Sequence, residues 1–287
     1  MQIGIVSPVV TRVPGAHGSW ELGAGIGELA QIAEHADRLG FHHLTCSEHV
    51  AVPADVAEQR GATYWDPLAT FGYLAARTTQ IRLATQVLVL GYHHPLEIAK
   101  RYGTLDLVSG GRLVLGVGVG SLQEEFELLG AAYDGRGAIA DDALAALRAS
   151  LSERTPSYRG THYDYDGLVV EPHAVQARVP LWVGGRTRRS LRRAVELGDG
   201  WVPFGLPLDE LRTMLDEASP GHDFEVVLSA GRPLDPANDP AGVRARLERV
   251  HDAGATVISA SISATSADDY CDQLAAVAEL ADLTSGD

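Results

Sequence analysis

Short apolar runs alternate with runs of helical period from one end of this chain to the other, and the pair recurs eight times. Residues 2–7, 43–46, 81–88, 113–117, 181–183, 200–203, 224–229 and 256–262 read as strands. Between them, residues 28–39 place Leu29, Ile32, Ala33, Ala36 and Leu39 on one helical face and stop at Gly40. Asp66-Pro67 caps and opens a helix over 67–77, and 95–108 is a helix stopped by Gly110-Gly111. Helices over 187–197 and 207–218, one from Asp239-Pro240 to Gly254, and one opened by Ser266-Ala267-Asp268-Asp269 complete the series. Strands joined by helices run parallel, because each helix carries the chain back to the end it left. Eight such units at close to the usual length of about 250 residues predict an α/β chain folded as a (β/α)8 barrel. Residues 1–283 then form one domain, 284–287 a tail, with insertions at the carboxyl face of the strands. A doubly wound sheet would need G-x-G-x-x-G after its first strand. That strand ends in Ser7-Pro8, and the run Gly116-Val117-Gly118-Val119-Gly120 arrives only at the fourth.

With 45% hydrophobic and 21% charged residues, the 287-residue chain can bury a large core. It has no run of about 18 apolar residues, so no membrane association is expected. Met1-Gln2-Ile3-Gly4-Ile5-Val6 lacks a basic region and reads as a strand rather than a signal peptide. Cys46 and Cys271, far apart, suit free thiols in a reducing cytoplasm. A net charge of −15 argues against a nucleic-acid partner, because no basic face is left to follow phosphates.

Two glycine-rich strand ends stand out. One is Gly116-Val117-Gly118-Val119-Gly120; the other is Leu181-Trp182-Val183-Gly184-Gly185, followed by Arg186, Arg188, Arg189, Arg192 and Arg193. Glycine lets a ligand approach the backbone, and a helix opening after Gly185 offers free N–H groups to an anion. Arg186 is the best placed for that contact; the distal arginines read as surface, Arg192 pairing with Glu196. Both strand ends together point to a sizeable phosphate-bearing cofactor. Strand two ends in Cys46-Ser47-Glu48-His49, where a carboxylate beside an imidazole suits proton transfer. The structural alternative leaves Glu48 paired with a barrel arginine and His49 packed in a loop. His93-His94 carries no metal-ligand spacing and no G-x-S-x-G elbow occurs, so neither a metal nor a serine nucleophile is expected. Residues 158–170 alternate like a hairpin that could cover the site or a partner subunit, and 11–25 resemble a lid.

In order along the chain, several pieces resemble the luciferase-like superfamily, in the branch that uses the deazaflavin coenzyme F420. They include Ala33-Glu34-His35-Ala36-Asp37-Arg38-Leu39-Gly40-Phe41, Ser47-Glu48-His49-Val50, Gly111-Arg112-Leu113-Val114-Leu115-Gly116-Val117-Gly118-Val119-Gly120, Glu124-Glu125-Phe126-Glu127-Leu128-Leu129-Gly130 and Pro180-Leu181-Trp182-Val183-Gly184-Gly185. The resemblance implies a homodimeric barrel with the deazaflavin at the strand ends and a small-molecule substrate beside it. It implies His49 as the catalytic residue next to the reacting ring, with Glu48 positioning it. It further implies a cis peptide between Gln86 and Val87, whose bulge, with Val89, backs the ring. Gly118, Val119, Gly120 and Ser121 would line ring and tail, and Gly184, Gly185 and Arg186 would receive the phosphate. Sugar-phosphate-oxidising relatives carry an acidic glutamate where this chain has Ser121, so reduction of a C=C or C=N bond is expected instead of that oxidation. The competing expectations are an FMN-dependent monooxygenase using oxygen and a catalytically silent cofactor carrier. His17, Trp20, Tyr64, Trp65, Tyr92 and His93 are expected around the substrate by position alone.

Overall fold

The eight runs close into a ring of parallel strands in the computed structural model, which describes residues 1–283. The expected tail at 284–287 lies outside the described residues. The barrel strands are β1 Gln2–Ile5, β2 His43–Cys46, β3 Arg82–Thr85, β4 Leu113–Gly118, β5 Leu181–Gly184, β6 Gly200–Val202, β7 Glu225–Ser229 and β8 Val257–Ala260. Each pairs in parallel with the next, and β8 returns to β1 with Ile3 opposite Ile258, which closes the ring. The longer helices that return the chain after each strand are α1 Ile26–Arg38, α2 Pro67–Ala75, α3 Pro95–Ser109, α4 Arg136–Arg148, α5 Arg188–Leu197, α6 Leu208–Ala218, α7 Pro240–Asp252 and α8 Ala267–Leu280. The caps read from sequence are made. Asp66 accepts from Ala69 N, Asp239 from Gly242 N and Ser266 from Asp269 N.

Alternation along the strands divides the core in two. Leu83, Leu113, Leu115 and Val183 pack outward beneath the helices, whereas Ala84, Val114, Trp182, Val202, Val227 and Val257 form a separate cluster filling the interior. His43 joins that interior fully buried, with Nε2 3.0 Å from Ser259 Oγ and its ring edge-on to Trp182. A methyl group at Gly4 would overlap the His43 ring, so the small residue on β1 makes the space.

Two expectations need correction. The third strand was predicted unbroken over 81–88. Instead the chain leaves the ladder after Thr85, passes through the cis peptide between Gln86 and Val87 that the resemblance implies, and rejoins β4 at Leu88 and Val89. Only Thr85-Gln86 interrupts the apolar run here, too short an interruption for hydrophobic periodicity to mark the break. The hairpin Tyr158–Arg159 with Asp164–Tyr165 exists, but it follows α4 and does not reach the carboxyl rim cleft. It lies along the outer flank, where Asp142 of α4 accepts from the Tyr158 hydroxyl and Tyr163 meets His94 edge-on. The insertions at the carboxyl face are the connections after β1, β2 and β4. Thr11–Arg12 of the first pairs antiparallel with Thr63–Tyr64 of the second, and short helices Ala54–Arg60 and Gln123–Leu128 sit in the second and third.

Candidate active site

A cleft of about 780 Å³ opens at the carboxyl ends of β2 to β5. Its wall brings together Glu48, His49, Gln86, Val87, Val89, Gly118, Val119, Gly120, Ser121, Gly184, Gly185 and Arg186, which are dispersed over 139 positions of sequence, counting inclusively from 48 to 186. The Gln86–Val87 bulge forms the floor. A Cβ at Gly118 would stand 2.7 Å from one Val87 methyl, and a Cβ at Gly184 would stand 3.0 Å from the other. Those glycines therefore make room for the chain's own bulge, not directly for a ligand. Gly120 differs: its φ of +75° and the crowding by Phe126 and Val89 both require glycine. Beside Val87, the buried Gln86 Oε1 has no hydrogen-bond partner among the described residues, while its backbone oxygen accepts from Ser47 Oγ at 2.7 Å.

His49 is held by Glu125, not by Glu48. Its Nδ1 lies 2.7 Å from Glu125 Oε2, and the same oxygen accepts from the Tyr92 hydroxyl at 2.8 Å. The other oxygen, Oε1, accepts from Val50 N and Ala51 N. Burial works to raise the carboxyl of Glu125, but the bonds from Tyr92, His49 and Ala51 outweigh it and hold the group below the usual range. An ionised acceptor at Nδ1 requires an N–H there and leaves Nε2 as the ring nitrogen outside this bond. Tyr64 packs edge-on to that ring with centroids 4.5 Å apart. Burial, then the bond to Glu125, raises the Tyr92 hydroxyl far above its ordinary value, so it remains a donor.

Glu48 points the other way, as neighbours in an extended segment do. It accepts from Val89 N at 2.8 Å and from His93 Nε2 at 2.7 Å, fixing the chain just beyond the bulge. Burial lowers the His93 pKa, yet the Glu48 bond dominates and the net shift is upward. Cys46, buried beside this network, has its thiol pushed up to about 12 by burial and packs as an apolar group.

Two helix amino termini and several arginines also border the cleft. The amino termini of α4 and α5 both border it, through Gly135 to Ala138 and through Gly185, Arg186 and Thr187. First-turn N–H groups lack intrahelical partners and lie at the positive end of the helix dipole. Arg136, Arg186, Arg189 and Arg193 surround them. Arg193, expected at the surface, is buried and donates to Gly137 O and Asp141. Arg188 does face outward and pairs with Glu217.

A model of the luciferase-like monooxygenases matches residues 1–268. The chain belongs to the luciferase-like monooxygenase family. Among curated members, an uncharacterized protein of Mycobacterium tuberculosis is 29% identical over 267 residues, covering 86% of this chain and 92% of that protein. A second from the same organism is 27% identical, over 68% of this chain and 74% of that one. Among solved structures, monooxygenase RslO1 from Streptomyces bottropensis superposes over the full length of both chains with a TM-score of 0.80 at 23% identity. The F420-dependent tetrahydromethanopterin reductase from Methanopyrus kandleri gives 0.70 at 15% identity, covering 96% of this chain and 98% of that one. An F420-dependent secondary alcohol dehydrogenase bound to an F420–acetone adduct gives 0.71 at 15% identity with the same coverage. These structural likenesses establish the family's barrel.

Several members of this family member's cleft were not foreseen from sequence. Glu125 lies in a six-residue helix, too short to show a period that would separate it from the more exposed Glu124 and Glu127. Arg136 and the start of α4 follow irregular chain, where only Gly135-Arg136-Gly137 hinted at a turn. Of the residues expected around a substrate, Tyr64 and Tyr92 line the cleft; His17 borders a separate cavity, and Trp20, Trp65 and His93 border neither. Among the described residues no three His, Cys, Asp or Glu side chains converge as a metal site, and no helix is long and apolar enough to cross a membrane.

Proposed function

We propose that this chain is an oxidoreductase that binds the deazaflavin coenzyme F420 in the cleft and exchanges a hydride with a small organic substrate, in the direction of C=C or C=N reduction. The observation that carries this reading is the make-up of the one cleft: the Val87 bulge and His49 line it together with two helix termini and four arginines. A flat ring bearing an anionic tail matches that layout, and the unpartnered Gln86 Oε1 offers a ring N–H its acceptor. When bound, the deazaflavin supplies the hydride chemistry. The residues of the chain do the rest. Arg186, Arg189 and Arg193 with the α5 terminus hold the phosphate, and Val87 sets the depth of the ring. His49 Nε2 exchanges the accompanying proton with substrate, while Glu125 fixes the ring's tautomer. Ser121 cannot supply a proton at neutral pH, which supports reduction through His49 over oxidation needing a second acid.

A second reading has its own support: RslO1, named a monooxygenase, superposes over the whole chain. It would place FMN in the same cleft and use oxygen. Fluorescence titration with F420 and with FMN, combined with oxygen uptake on adding reduced FMN, separates the two. Saturable F420 binding without oxygen uptake is expected; FMN binding with oxygen uptake moves the assignment to the monooxygenase. Binding and turnover both unaffected by His49→Ala would point to a silent carrier.

A further inference from the structure

Tyr64 stands beside the His49 ring in the cleft wall, and two insertions together carry it there. Thr63–Tyr64 of the β2 connection pairs antiparallel with Thr11–Arg12 of the β1 connection, and Trp65 N donates to Val10 O at 2.9 Å. Gly61 has a φ of +79°, and a Cβ there would overlap Arg12 O, so the two segments close only on glycine. The polar groups near His49 are already committed. The Tyr64 hydroxyl donates to Arg60 O at 3.0 Å and the Tyr92 hydroxyl to Glu125 at 2.8 Å, so each tyrosine offers the cleft a ring and no free donor. Ser47 Oγ donates to Gln86 O, Glu48 accepts from Val89 N and His93, and both Glu125 oxygens are occupied. Arg136 donates to Gly120 O and lies over the Tyr133 ring, while Arg189 and Arg193 pair with Asp141. Arg60 is exposed and stands outside the cleft wall. A charged group brought to the His49 ring would therefore lose water without gaining a counter-charge, whereas an apolar face would gain ring contact.

We propose that the ligand held beside His49 is an uncharged compound with a planar apolar body, and that Tyr64 is the residue that selects it by packing against that body. The conjugated bond lies at His49, whose Nε2 is the ring nitrogen not bonded to Glu125. In the reaction proposed above, such a compound is a neutral unsaturated carbonyl compound or an imine, in preference to a carboxylate or a phosphate ester. That this ligand is the substrate rests on the redox reading; its recognition beside His49 does not, so the two fail separately.

The test is an NMR titration of the full chain, isotope-labelled in its histidine rings, at neutral pH. The chain is first titrated with F420 by fluorescence, then with cinnamamide and with cinnamate, which share a phenyl ring and a C=C bond and differ in charge. The His49 signals are assigned by their loss in His49→Gln. Cinnamamide is expected to shift them saturably, and cinnamate to bind at His49 at least ~10-fold more weakly. That ratio is read on the parent chain and needs no variant to fold. Tyr64→Ala should weaken cinnamamide at least ~5-fold, and Tyr64→Phe, which keeps the ring and loses only the hydroxyl bonded to Arg60 O, should restore the affinity. His49 signals unmoved by cinnamamide, cinnamate binding there as tightly as the amide, or an affinity unchanged in a folded Tyr64→Ala would overturn the proposal. Absence of F420 binding beside an intact preference for the amide would remove the redox reading and leave this recognition standing.

Discussion

Glu125 has no solvent exposure, and four donors reach its two oxygens. Replacing it by glutamine turns one acceptor into a donor facing donors, and breaking such a buried, charge-assisted set costs about 2–4 kcal/mol. Glu125→Gln is expected to lower the melting temperature by several degrees and the turnover at least ~10-fold, since His49 loses its fixed tautomer. Calorimetry and single-turnover kinetics read the two effects. The pH sign follows from a carboxyl whose folded pKa is depressed. Its contribution is fully present above the ordinary glutamate value of about 4.3 and is lost as pH falls through the lower folded value. Denaturation curves taken between neutral and acid pH should therefore show a shallower acid loss in Glu125→Gln than in the parent. At this scale the strand-end rule sufficed to place His49 on the rim, because only chain direction is needed for that. Its partner was hidden, because Glu125 is 76 positions away and adjacency in sequence favoured Glu48.

The elements around the bulge act as one unit. Gly118 and Gly184, on β4 and β5, leave the volume that the Val87 side chain fills. Gly118→Ala should push Val87 into the cleft and weaken cofactor binding at least ~10-fold, and adding Val87→Ala should restore part of it. A double-mutant cycle on the dissociation constants checks the coupling. Elsewhere on the cleft wall, Arg186 is exposed and lies just ahead of the α5 cap. Arg186→Ala is expected to shift the melting temperature by less than about 2 °C while weakening a phosphate-bearing cofactor, most clearly at low salt. Elements with strong local signals were legible: the Asp-Pro caps of α2 and α7, the glycine stop of α3 and the eight strands. What was illegible depends on contacts remote in sequence. The break after β3, foreseen through the family resemblance and not through periodicity, is supported by Glu48 from β2 and by glycines from β4 and β5, and the route of the hairpin by Asp142 of α4.

Closure of β8 onto β1 ties the two ends of the described chain into one ring, so no half keeps a complete core. A single cooperative thermal transition is expected by calorimetry, and two resolved transitions would contradict a one-domain barrel. The ring's interior adds a pH dependence of its own. Burial, reinforced by Arg82, lowers His42 to about 4, and burial carries His43 well below its ordinary value. Both histidines are therefore neutral when folded and take up protons on unfolding. Stability is fully present above about pH 6.5 and declines as pH drops toward the folded values. Thermal melts at descending pH should fall across that window, before the carboxylate losses begin, and His42→Gln should remove part of the fall. The central claim is that the Val87 floor, His49 and the paired helix termini grip one ring with an anionic tail. A crystal structure of the chain with F420 tests it most directly. The ring is predicted against Val87 with its reacting edge toward His49, and the phosphate within reach of Arg186, Arg189 and the α5 amino terminus. A coenzyme lodged elsewhere on the barrel, or a phosphate turned toward His49, would contradict the account.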